Sequence, residues 1–129
     1  MLHHIEVYVS NLGVSHAFWS KILEQIGYEQ AGQWDDGFTL RKGNGPYLTF
    51  VQVTKNFTAG TYHRRNVGLN HLAFKVKGRK LVDSLRQYCL SNDIPLLYDD
   101  KYPHANGGDE YYALYVEDPD RIKIEFVAG

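Results

Sequence analysis

Residues 4–9 and 71–76 read as two copies of one strand. Laying His4-Ile5-Glu6-Val7-Tyr8-Val9 over His71-Leu72-Ala73-Phe74-Lys75-Val76 matches every apolar position and both histidines. Each copy alternates with period two, the mark of a half-buried strand. Each is followed by a helical pattern and then by three shorter extended segments. A duplicated unit that cannot close its own sheet is expected to pair with its copy. The spacing therefore predicts an α+β fold: two βαβββ modules forming curled mixed sheets around a shared cavity, with the helices outside. Module one is expected over 1–56, a polar, glycine-bearing connector over 57–67, and module two over 68–129, together making a single domain.

In the first half, Val14, Phe18, Ile22 and Ile26 form a helical stripe, widened by Trp19 and Leu23 and stopped by Gly27. Strands are predicted near 28–34, 38–42 and 47–54, separated by Asp35-Asp36-Gly37 and Gly43-Asn44-Gly45-Pro46 as turns. In the second half the helix is predicted over 79–92, burying Leu81, Val82, Leu85 and Cys89. Strands are predicted near 95–100, 110–117 and 122–127, and Asp118-Pro119-Asp120-Arg121 is a turn.

Composition narrows the function classes. The chain has 129 residues, 43% of them apolar and 14% aromatic, so a buried core is affordable and disorder is excluded. A net charge of -1, with no basic stripe or basic amphipathic helix, argues against nucleic-acid and membrane partners. No apolar run approaches the roughly 18 residues of a spanning helix, and no signal peptide is recognised. Cys89 is the single cysteine. An internal disulfide is excluded, and a cytoplasmic location is expected.

Strand parity selects the residues that carry chemistry. In both first strands the aliphatic positions face the helices, which puts His4 and His71 on the opposite face. In the last strand Ile122, Ile124 and Phe126 take the helix face, so Lys123 and Glu125 point the other way. Gln52 shares a face with Leu48 and Phe50, but Val51 and Val53 are apolar too, and the pattern there does not decide. Two imidazoles and a carboxylate converging on one cavity suit a divalent first-row metal, whose identity among Zn, Ni, Mn, Co and Fe the residues leave open. Tyr111 and Tyr115 are candidate cavity residues, His63 and His104, in loops flanking the cavity, are candidates for substrate contact, and Arg64 with Arg65 could hold an anionic substrate group. Cys89, on the apolar stripe, reads as core.

Three stretches carry a family resemblance: residues 3–12 with Phe18-Trp19, then Gly68-Leu69-Asn70-His71-Leu72-Ala73-Phe74, then residues 111–125 from Tyr111 to Glu125. They resemble the vicinal oxygen chelate superfamily, which includes glyoxalase I, extradiol dioxygenases, fosfomycin-modifying enzymes and bleomycin-binding proteins. The resemblance implies metal positions at His4, Gln52, His71 and Glu125. Gln52 departs from the glutamate or histidine often found there, and Arg121 from a common turn glycine. It also implies a small-molecule substrate with vicinal oxygens, a homodimer, and Glu125 as ligand and base together. A glyoxalase-like lyase or isomerase is the leading expectation, with a small non-haem iron dioxygenase as the alternative. A metal-free binder of aromatic compounds is the rival from another class, and Tyr111, Tyr115 and Phe50 would then be its working residues.

Overall fold

The alternation of residues 4–9 becomes strand β1 (His4–Val9), and helix α1 (Leu12–Glu24) starts directly after it. Asn11 caps that helix, its side-chain oxygen accepting from the Val14 amide at 3.1 Å, so one of the free donors of the first turn is satisfied. Gly27, at φ 94, turns the chain out of the helix. Strands β2 (Glu29–Trp34), β3 (Gly37–Arg41) and β4 (Tyr47–Gln52) follow. The second half repeats the order: β5 (Leu72–Val76), α2 (Arg79–Ser91), β6 (Leu96–Leu97), β7 (Ala113–Glu117) and β8 (Lys123–Ala128). This is the α+β, two-module βαβββ arrangement expected. The computed structural model describes residues 1–57, 60 and 62–129, so Thr58, Ala59 and Thr61 of the expected connector lie outside the described residues.

Two compact units result, Met1–Thr61 and Tyr62–Gly129. Each holds one four-stranded sheet, in the orders β1-β4-β3-β2 and β5-β8-β7-β6. The first strand of each runs parallel to the last, β1 to β4 and β5 to β8, and the remaining pairs are antiparallel. A parallel pairing needs a long crossover, and the helix with its following strands supplies it.

Each helix packs on its own sheet. In the first unit Trp19, Ile22 and Leu23 are fully buried, and the Trp19 and Phe38 rings lie 4.7 Å and 4.9 Å from Phe50. In the second, Val82, Leu85 and Cys89 pack on the face of β5, β7 and β8 that carries Phe74, Leu114 and Phe126. Each such side chain contributes roughly 1.5–3 kcal/mol of burial. The α1 stripe is rotated by one residue from the expected one. Ser15, Trp19, Ile22, Leu23 and Ile26 face the sheet, Phe18 is half-buried and Val14 is half exposed. Likewise Val82 is buried where Leu81 is only half-buried. Burial pushes the Cys89 thiol up to about 12, as a core cysteine requires.

Candidate active site

Glu125, like Asp118, is a buried carboxylate of the second unit. It sits mid-strand in β8, 2% exposed, and pairs across the sheet with Ala73 of β5 and Tyr115 of β7. An ionised carboxylate so placed must be heavily hydrogen-bonded. Tyr111 donates its hydroxyl to Oε1, and His71 Nε2 lies 2.9 Å from Oε2. The hydrogen bond to Glu125, more than burial, pushes the Tyr111 phenol up to about 12. Burial first, and the Glu125 charge second, also raise Tyr115. Both tyrosines are therefore neutral donors at physiological pH. The other His71 nitrogen, Nδ1, is 2.7 Å from Asn70 Oδ1, which fixes the ring.

A pocket of about 410 Å³ opens over this group, entirely within the second unit. Tyr111, Tyr115, His71 and Glu125 line it, as parity predicts, together with Tyr98 and Lys123. Those last two are absent from the expected site. Lys123 was legible, since it shares the Glu125 face two residues earlier. Tyr98 was not, because β6 ends at Leu97 and Tyr98 then adopts the left-handed conformation, φ 56 and ψ 30. That conformation costs a non-glycine residue roughly 1–2 kcal/mol. It brings the phenol to Lys123, with Nζ donating to Tyr98 Oη at 3.1 Å.

The donors suit a divalent ion. Two ligands about 2.1 Å from one ion, at right angles, are themselves about 3 Å apart. The His71–Glu125 separation of 2.9 Å has that value, which is also that of an imidazole N–H donated to a carboxylate. Asn70 on Nδ1 and Tyr111 on Oε1 are the outer partners that metal-bound histidines and carboxylates use. Among the described residues, no group of three His, Cys, Asp or Glu side chains is gathered around one point. Among the described residues of the second unit, His71 and Glu125 are the side chains that could hold an ion.

No protein-family model matches the chain. The protein YqjT of Bacillus subtilis (strain 168), itself uncharacterised, is 43% identical over 127 residues, 98% of each chain. A Bacillus halodurans protein, crystallised as a glyoxalase candidate, is 44% identical with a TM-score of 0.96, over 100% of this chain and 96% of its own. The chain belongs to the vicinal oxygen chelate superfamily. A glyoxylase/bleomycin resistance protein/dioxygenase domain from Frankia sp. EAN1pec shares the fold at 17% identity, TM-score 0.77, over 100% and 97% of the two chains.

The two units repeat one strand order, and the strand registers give the equivalences directly. In the first unit Glu6 of β1 and Thr39 of β3 both flank Thr49; in the second, Ala73 and Tyr115 both flank Glu125. The counterpart of Glu125 is therefore Thr49, not Gln52. Thr49 is buried and hydrogen-bonded to the Thr39 hydroxyl at 2.8 Å. Gln52 lies on the helix side with Phe50. Its Oε1 accepts from the Leu12 amide at 2.8 Å, and its Nε2 donates to the Ser10 carbonyl at 2.9 Å. It braces the β1–α1 turn. Phe50 is core for the same reason, in contact with Trp19 and Phe38, and does not face a cavity. His4 keeps the expected face, exposed and stacked on Tyr47 at 4.7 Å.

Two further expectations shift. Arg64 is not at the pocket: Nη1 pairs with Glu117 Oε2 at 2.5 Å and reaches the Arg121 carbonyl at 3.3 Å. Arg121, at φ 66, takes the left-handed turn position a glycine would fill, and its Nε lies 3.3 Å from the same Glu117 oxygen. His104 Nδ1–H donates to the Tyr111 carbonyl, 3.1 Å away, and its ring meets Tyr112. It buttresses the segment carrying Tyr111 from behind.

Proposed function

We propose that the protein is a divalent-metal-dependent enzyme of the glyoxalase-like type, a lyase or isomerase acting on a small substrate with vicinal oxygens. One observation carries this reading: the buried Glu125 carboxylate, held by Tyr111 and His71, opens on a pocket of small-molecule size. His71 and Glu125 would hold the ion, and His4 is the proposed third donor because the repeat makes it the counterpart of His71. When bound, a divalent ion supplies Lewis-acid stabilisation of the oxyanion that develops on the substrate.

The protein's own groups do the rest. On a substrate with a hydroxyl beside its carbonyl, Glu125 takes the proton from the carbinol carbon and returns it to the adjacent carbonyl carbon, while the hydroxyl proton passes to the other oxygen, so that hydroxyl and carbonyl exchange places. Tyr111 stays protonated and, with its hydroxyl on Oε1, holds that carboxylate at one angle to the substrate. Tyr115 walls the pocket and narrows the water around the reacting atoms. The homodimer and the cytoplasmic location expected from the sequence belong to the same proposal.

Thr49 favours a second reading. With no ligand side chain at that repeat position, the set His4, His71 and Glu125 has the two-histidine, one-carboxylate composition of non-haem iron oxygenases. Oxygen uptake with iron-loaded protein and a catechol tests it.

Replacing Glu125 by Gln separates enzyme from binder. An enzyme loses turnover by roughly 10²–10⁴, the worth of a positioned acid–base group, with substrate binding much less affected. A protein that only sequesters an aromatic ligand binds it equally well in both forms, and that result, without turnover in metal-loaded wild type, overturns the proposal.

A further inference from the structure

The pocket contains a cation that the metal chemistry does not use. Lys123 precedes Glu125 by two residues on the same face of β8, about 6.6–6.8 Å along the strand. Its ammonium lies 4.8 Å from the centre of the Tyr98 ring and 5.2 Å from that of Tyr115, and it donates to Tyr98 Oη at 3.1 Å. Across the sheet its direct neighbour is Glu117. In most sheets that opposed pair would neutralise itself. Here the Glu117 carboxylate is turned to Arg64 at 2.5 Å and Arg121 at 3.3 Å. Among the described residues no carboxylate forms an ion pair with Lys123, and the ammonium is left to the pocket.

We propose that Lys123 and Tyr98 form a carboxylate subsite, so that the substrate carries a carboxylate one strand repeat away from its vicinal oxygens. This inference rests on the functional reading given above. Tyr98 accepts from Lys123, so its own O–H is free to donate to a second oxygen. One ammonium and one phenol suit a monoanionic carboxylate; a phosphate group asks for more positive charge or a bidentate fork. Lys101, at the same pocket, adds favourable charge at the mouth. The left-handed backbone at Tyr98 places the phenol against Lys123, and such strain gathers where side chains are aimed at a ligand. Lys123 is a specificity residue in this account, not a base.

The test is a titration of 3,4-dihydroxybenzoate and of catechol, which share the vicinal oxygens and differ by the carboxylate. Both are titrated calorimetrically into manganese-loaded and metal-free wild type, Lys123→Met, Lys123→Arg and His71→Ala. Wild type is expected to prefer the carboxylate probe by about tenfold or more, the value of one charge-assisted hydrogen bond. Lys123→Met should bind the two probes equally, leave catechol unchanged and stay folded, while Lys123→Arg keeps most of the preference. Equal binding of both probes by wild type, an undiminished preference in Lys123→Met, or no binding of either probe overturns the subsite. Failure of the metal reading looks different: catechol then gains nothing from manganese, and His71→Ala behaves as wild type, whatever Lys123 does to the carboxylate preference.

Discussion

His71 Nε2 lies 2.9 Å from Glu125 Oε2, across the parallel pairing of β5 and β8. The pairing sets this closeness. Ala73 is directly opposite Glu125, so the residue two before it on the same face reaches over from the strand end. The small Ala73 leaves room for that reach. A large side chain at 73 would stand where the imidazole and carboxylate meet.

Gln52→Leu separates a structural amide from a ligand. The substitution removes the acceptor of the part-buried Leu12 amide and one donor to the Ser10 carbonyl. A loss of about 1–3 kcal/mol in unfolding free energy is expected, the cost of stranded polar groups. Metal content should not change. Chemical denaturation together with elemental analysis reads both, and metal lost at unchanged stability would restore Gln52 to the ligand set.

Asp83 predicts an acid limb in stability. Its carboxylate accepts from the Tyr102 hydroxyl and from Tyr112 Oη, the latter at 2.6 Å, and these bonds hold it below the usual carboxylate range. A group lowered in the folded state stabilises above its unfolded value, about 3.9, and loses that contribution as pH falls through the folded value. Tyr112 adjoins Tyr111, so the clamp also fixes the segment that reaches Glu125. Wild type should exceed Asp83→Asn in thermal midpoint at pH 7, and the gap should close between pH 4 and pH 2. A gap that is constant with pH would contradict the linkage.

Much of this was written in the sequence. The repeat at 4–9 and 71–76 gave both modules, and strand parity put His71, Tyr111, Tyr115 and Glu125 at one pocket, because period two assigns faces wherever one face is aliphatic. Parity does not decide in and just after β4, where Leu48, Phe50, Val51 and Val53 are apolar on both faces. The resemblance alone puts Gln52 at the metal, and Phe50 is a working residue only of the metal-free binder; both belong to the helix side. Only the registers, Glu6 and Thr39 against Thr49, reveal that the repeat counterpart of Glu125 is a threonine. Tyr98 depends on a left-handed residue after a two-residue strand, and Arg64 on a long-range ion pair. Neither leaves a periodic trace.

Metal stoichiometry tests the pairing of His71 and Glu125 most directly. Purified wild type and His71→Ala are loaded with manganese or zinc, dialysed against a mild chelator, and analysed for metal and protein together. Wild type should keep about one ion per chain, and His71→Ala should keep almost none, because the Glu125 carboxylate cannot re-form the site without its neighbour. His71→Ala retaining the same stoichiometry as wild type would contradict the assignment of His71 and Glu125 as a metal-holding pair.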